Sequence, residues 1–194
     1  MTDRPPTSDS ERDLPPDAEA PEKIEWGGEF VLAKSRGRWE YAGRARNIRA
    51  AAILAIDAGE VILVDQYRVP MGRFSLELPA GLIGDEDGAE GEGALATAAR
   101  ELEEETGYRA ANLEDLGEFF SSPGMLTESF TLVKATGLTQ VGDGGGTDTE
   151  DIIVLRVPID RIAETVREYR ARGHGIDVKL LALLGSGFLE DSAQ

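Results

Sequence analysis

The chain has 194 residues, 41% of them hydrophobic, with a formal charge of −17 and no cysteine. That length suits one domain with a proper core plus a tail. The charge excludes a basic footprint for nucleic acid and disfavours anionic membranes, and the absence of cysteine excludes disulfides and thiolate catalysis. No apolar run approaches membrane-spanning length and the first residues carry no basic-then-apolar leader, so the expected compartment is the cytoplasm.

Residues 1–23 hold five of the nine prolines, many acidic groups and almost no large apolar side chains. Such a segment buries too little surface to offset its ordering entropy and is expected to be a disordered acidic tail ahead of a domain over residues 24–190. Residues 29–35 and 38–42 read as strands around Arg36-Gly37, a hairpin signal. Residues 48–56 and 61–67 flank a second turn at 57–60, and 74–78 form a brief strand ending at Pro79, which cannot continue a ladder. A helix follows from Gly93 to Thr106, with Glu92 placed to favour its dipole and Gly107 suited to a left-handed C-cap.

Residues 113–121, 129–135 and 152–157 alternate as strands do, and the glycine-rich run 142–148 between the last two reads as a mobile loop, suited to a lid. After Pro158, Ile159, Ile162, Ala163, Val166 and Tyr169 mark an amphipathic helix stopped by Gly173, and residues 176–184 a second, more apolar one. Mixed strands with helices on both sides predict an α/β sandwich on a mixed β-sheet. His174 is the sole histidine; beside two glycines it reads as an exposed loop residue with no catalytic role.

The first helix is the most informative element. Glu101, Glu104 and Glu105 stand at i, i+3 and i+4 and share a face, with Leu95, Ala99, Leu102 and Thr106 on the opposite, inward side. Glutamate runs usually mark a solvated face, where such a like-charge pair costs only about 0.2–0.5 kcal/mol. In a partly dry cleft, two carboxylates ~5 Å apart repel by roughly 3 kcal/mol, and a divalent cation reverses that sign.

The surrounding residues decide between these readings. Glu92, then Arg100-Glu101-Leu102-Glu103-Glu104-Glu105-Thr106-Gly107-Tyr108, with Gly81 upstream, resembles the Nudix box of the Nudix hydrolases. Ten residues separate Gly81 from Glu92 where the family usually has five, which implies a longer surface loop over 84–91. Gln66-Tyr67-Arg68, Glu77-Leu78-Pro79-Ala80-Gly81, Ser122-Pro123-Gly124 and Glu150-Asp151-Ile152 extend the likeness to the ADP-ribose and nucleotide-sugar pyrophosphatase branch, over roughly residues 26–185.

The resemblance implies a Nudix-type α/β/α sandwich holding Mg2+, or Mn2+, on Glu101, Glu104, Glu105, Glu150 and the backbone carbonyl of Ala80. It implies Asp148, Glu104 or Glu105 as the base that activates water. Asp148 stands where the branch has a glutamate. Arg68, Leu82 and Ser122 would touch substrate, with Arg68 meeting a phosphate or terminal sugar. Gly81, Glu92, Arg100 and Gly107 would be structural, Arg100 off the acidic face and partnering Glu92. Trp26, Trp39 and Tyr41 suit either stacking on a base or core packing.

The expected activity is hydrolysis of the diphosphate in ADP-ribose or a related nucleoside diphosphate sugar, giving a nucleoside monophosphate and a sugar phosphate. GDP-mannose, a dinucleoside polyphosphate or a nucleoside triphosphate remain alternative substrates, because the box reads only the diphosphate; a catalytically silent nucleotide-sugar sensor remains a second alternative. Branch members are commonly homodimers that exchange N-terminal strands, here within residues 24–45.

Overall fold

A computed structural model describes residues 13–46, 48–84, 91–147 and 151–184. The described residues fall into two compact units, one holding those up to 46 together with 122–128, the other holding the rest.

In the first unit, β1 (Glu22–Gly27), β2 (Val31–Arg36) and β3 (Trp39–Arg44) form an antiparallel sheet in that order. Strands β2 and β3 fall close to their expected places, turning at Gly37 with φ 57°. Strand β1 is absent from the sequence reading because all six of its residues are exposed and three are charged, so no apolar alternation marks it. Its polar groups bond across the ladder instead: Glu22 accepts from the Tyr41 hydroxyl at 2.7 Å and pairs with Lys34 at 3.1 Å.

The expected tail begins to order earlier than composition suggests. Pro16–Glu19 makes a 3-10 turn. Asp17 accepts from the Arg38 backbone N–H at 3.2 Å and from its guanidinium at 3.0 and 2.8 Å. That arginine holds the Asp17 carboxyl below its ordinary range. Several charge-assisted bonds converging on one carboxylate offset the entropy of so short a turn. Residues 1–12 of the expected tail lie outside the described residues. Residues 122–128 join this unit through Ala42, whose N–H donates to Met125 O and whose carbonyl accepts from Thr127 N–H, both at 2.9 Å.

The second unit contains β4 (Ala50–Asp57), β5 (Glu60–Arg68), β6 (Arg73–Glu77), β7 (Ala80–Leu82), α1 (Ala94–Thr106), β8 (Tyr108–Phe120), β9 (Ser129–Gln140), β10 (Ile153–Pro158), α2 (Ile162–Ala171) and β11 (Gly175–Ile176). The sheet order is β11-β6-β5-β4-β9-β8, with β10 also on β5 and β7 also on β4. The β4–β9 and β11–β6 pairs are parallel and the rest antiparallel. The β4–β5 hairpin turns through Ala58 (φ 49°) and Gly59 (φ 80°), two left-handed residues that suit the strand twist.

Alternation along β4 divides the core. Ala51, Ile53 and Ala55 meet Ala98 and Leu102 of α1, while Ala52 and Leu54 share the opposite core with Ile162 and Tyr169 of α2. Helices therefore cover both faces of a mixed sheet, the expected α/β/α sandwich.

Two expectations change. The buried side of α1 runs through Ala98, Leu102, Glu105 and Thr106, whereas Leu95 and Ala99 are exposed. The helix is rotated so that one of its glutamates faces inward. The expected second C-terminal helix gives up Ile176 to β11, and only Val178–Leu184 coils, as a 3-10 helix. Asp177 sets that boundary: its N–H donates to Leu76 O at 3.0 Å, and its carboxylate caps the Lys179 N–H at 2.7 Å. No helix among the described residues is long and apolar enough to cross a membrane.

Candidate active site

Helix α1 starts after Gly93 and stops at Gly107, whose φ of 74° is the left-handed geometry of a C-cap. Glu92 lies before the helix rather than in its first turn. Its Oε2 accepts from Thr97 Oγ1 at 2.9 Å and pairs with Arg100 Nη2 at 3.4 Å, so it acts on side chains, not on the dipole. Arg100 does not stay off the acidic face. Its Nη1 lies 2.9 Å from Glu101 Oε1 and 3.1 Å from Glu104 Oε2. A single guanidinium nitrogen thus bridges two carboxylates that would otherwise repel.

Strand β7 brings Ala80, Gly81 and Leu82 against Ala52, Ala51 and Ala50 of β4. The Pro79 carbonyl accepts from Ile53 N–H at 2.8 Å, which anchors this turn to the central strand. Glu105 is 4% exposed and its Oε2 accepts from Ala80 N–H at 3.0 Å. A Cβ on Gly81 would overlap the Glu101 carboxylate, so any larger residue there would push that side chain from its place. Glu101 and Glu105 are therefore fitted to consecutive residues of one strand, while Glu104 keeps 41% of its side-chain surface exposed. Leu82 is half-buried in the same strand.

Arg68 ends β5. Its Nε and Nη2 make a fork to Glu77 at 2.9 and 2.7 Å, and Glu77 is 4% exposed. Glu77 first, then the more distant Glu105 and Asp177, holds the Arg68 guanidinium protonated above its ordinary range. The sequence reading assigned Glu77 no role of its own. The available signal was an acid inside a strand whose neighbours Leu76 and Leu78 are fully buried.

The glycine run is not a free lid over its described part. Gly145 N–H donates to Glu105 O at 2.9 Å, Gly146 N–H to Glu104 O at 3.1 Å, and Val141 N–H to Gly107 O at 2.8 Å. These bonds satisfy carbonyls that every helix leaves open at its C-terminus. The approach is so close that a Cβ on Gly107 would overlap the backbone of Gly142 and Gly144. The last turn of α1 and the start of the late loop are thus one tied structure. Asp148 and Glu150 lie outside the described residues.

Ser122 belongs to the first unit, where its carbonyl accepts from Met125 and Leu126 N–H at 3.0 and 2.9 Å. Trp26 and Trp39 are 60% and 52% exposed there, so they are not core residues of this unit. His174 is not an exposed loop residue: its side chain is 18% exposed and lies 3.3 Å from Asp65.

The donors present fit a hard divalent cation, being carboxylates and a backbone carbonyl with no sulfur or imidazole among them. Among the described residues no three acidic side chains already converge as a preformed cage. Glu101 and Glu104 turn toward Arg100, and Glu105 toward Ala80 N–H.

Comparison with known proteins agrees with this geometry. A NUDIX domain model matches residues 46–173. The methanol dehydrogenase activator of Bacillus methanolicus is 34% identical over 127 residues, 64% of this chain and 66% of that protein. The ADP-ribose pyrophosphatase of Bacillus subtilis is 36% identical over 128 residues, 63% of this chain and 66% of that protein. Each match spans just under two thirds of the relative's length. A solved structure described as an ADP compounds hydrolase shares the fold, with a TM-score of 0.65 and 23% identity over 84% of this chain and 89% of its own. The matched segment contains Arg68, Ala80, Gly81 and the whole of α1, and the chain belongs to the Nudix family.

Proposed function

We propose that this chain is a metal-dependent pyrophosphohydrolase of ADP-ribose or a related nucleoside diphosphate sugar, releasing a nucleoside monophosphate and a sugar phosphate. The observation that carries this reading is the fit of Glu101 and Glu105 to Ala80 and Gly81. A merely solvated acidic face gives no reason to bury Glu105 or to pack Glu101 against Gly81. The name of the Bacillus subtilis relative supports the substrate class.

Glu101, Glu104, Glu105 and the Ala80 carbonyl would hold Mg2+ or Mn2+, with Glu150 as a further ligand. Such an ion offsets charge developing on the diphosphate and makes bound water more acidic. Glu104, the most exposed of the three glutamates, is the box carboxylate open to take a proton from attacking water; Asp148 is the other candidate base. Arg68, fixed by the Glu77 fork, would orient a phosphate or terminal sugar hydroxyl, and Leu82 of the same unit would add a substrate contact.

The exposed apolar side chains of the N-terminal sheet, Ile24, Trp26, Phe30, Val31 and Trp39, support a homodimer built through residues 24–45. This reading places the enzyme in the cytoplasm, where nucleotide sugars are made and used. The test is a panel of nucleotide sugars and polyphosphates with magnesium and with chelator, products identified. AMP released from ADP-ribose only with metal is the expected result. Binding without turnover by folded, metal-loaded protein overturns it in favour of a sensor.

A further inference from the structure

Between Glu92 and the helical glutamates of the box stands a buried hydroxyl that the hydrolase reading leaves without a role. Thr97 of α1 is fully buried, and the residues around it, Ala96, Ala98 and Ala99, are alanine, the residue a helix favours most. A β-branched hydroxyl residue is the less favourable choice in such a run. Threonine inside a helix commonly turns its hydroxyl back to the carbonyl four residues earlier. Thr106 does so to Leu102 O, and Thr165 of α2 does so to Arg161 O at 3.1 Å. Thr97 points elsewhere: its Oγ1 donates to Glu92 Oε2 at 2.9 Å, ahead of the helix.

That direction matters because of what else Glu92 meets. The same Oε2 lies 3.4 Å from Arg100 Nη2, a looser contact than the hydroxyl makes. The other nitrogen of this guanidinium, Nη1, stands 2.9 Å from Glu101 Oε1 and 3.1 Å from Glu104 Oε2. One arginine is therefore divided among Glu92, Glu101 and Glu104. Side-chain exposures of 17, 20 and 15% for Glu92, Arg100 and Glu101 leave little water to screen the division. An unconstrained guanidinium and carboxylate close to about 2.7–2.9 Å. Without the threonine hydroxyl, Glu92 would close on Arg100 and draw the guanidinium toward the start of the helix. Glu101 and Glu104 would then repel with less positive charge between them. Thr97, Arg100, Glu101 and Glu104 stand at i, i+3, i+4 and i+7, so one stripe of α1 carries the whole relay.

Resting on the metal-dependent reading above, we propose that Thr97 is a positioning residue of the box. By holding Glu92 back from full contact with Arg100, it keeps the guanidinium on Glu101 and Glu104. Both carboxylates thereby stay placed for a divalent cation, while Thr97 itself touches neither cation nor substrate.

The test is Thr97→Val, which keeps the shape and removes the hydroxyl, beside Thr97→Ser, which keeps the hydroxyl. Mn2+ binding to the full chain is read from the electron paramagnetic resonance of the free ion, with no substrate present. Thr97→Val should weaken binding about fivefold, within the range of one hydrogen bond, and Thr97→Ser should bind as the wild type does. In an Arg100→Gln background the valine change should weaken binding no further, because the arginine through which it acts is gone. A hydroxyl serving stability alone would lower the urea midpoint when removed and leave Mn2+ binding where it was. Thr97→Val that binds Mn2+ as well as or better than wild type, or a full fivefold loss in the Arg100→Gln background, overturns the role of Thr97 alone. Wild-type protein that binds no Mn2+ overturns the metal reading of the box and this role with it. Should Thr97→Val not fold, Thr97→Ala is held to the same outcomes.

Discussion

On one face of the central sheet, Glu101 and Glu104 crowd around Arg100 beside Glu105, at an edge partly open to solvent. On the other, Asp65 stands with one histidine between two aromatic rings. The first cluster has more negative charge than its own arginine offsets, an arrangement suited to a cation and an anionic substrate arriving together. The second sets its carboxylate against an imidazole and is closed, an arrangement suited to holding chain to chain. Similar residue types thus serve different ends according to whether their partner comes from outside or from within the fold.

The comparison can be broken at its strongest point with Glu105→Gln, which keeps the size of the side chain. Turnover on ADP-ribose should fall roughly 10²-fold or more, the cost typical of losing a charge aimed at the reacting group, with circular dichroism unchanged. Near-wild-type turnover would assign the cation to other residues. Gly107→Ala tests the docking beneath the cluster. A left-handed alanine costs about 1–2 kcal/mol before any overlap with the glycine run, so the urea midpoint should drop clearly. The smallest effect belongs to Arg109→Ala. Its fork to Glu103 at 2.6 and 2.7 Å is exposed and screened by solvent, so removing it should leave the urea midpoint almost unchanged.

Much of this was legible from residue order. Hairpin turns at Gly37 and Gly59 and the cap at Gly107 announce themselves because few residues tolerate those backbone angles. The acidic spacing of α1 reads directly off helical geometry. What escaped reading depends on tertiary partners. Strand β1 is exposed on every residue and exists through pairing with β2. The inward turn of Glu105 depends on Ala80 N–H, which no local pattern reveals. His174 looked like a loop residue because Asp65, Phe74 and Tyr169 reach it from β5, β6 and α2.

The bonds from Gly145 and Gly146 to the carbonyls of Glu105 and Glu104 have a consequence for how this chain tolerates change in length. A deletion or insertion within residues 142–146 would not simply shorten or extend a connection. It would pull the final turn of α1 out of register with the chain that leaves it, and the box carboxylates with it. Variation among relatives is therefore expected to fall on either side of this splice and to spare it.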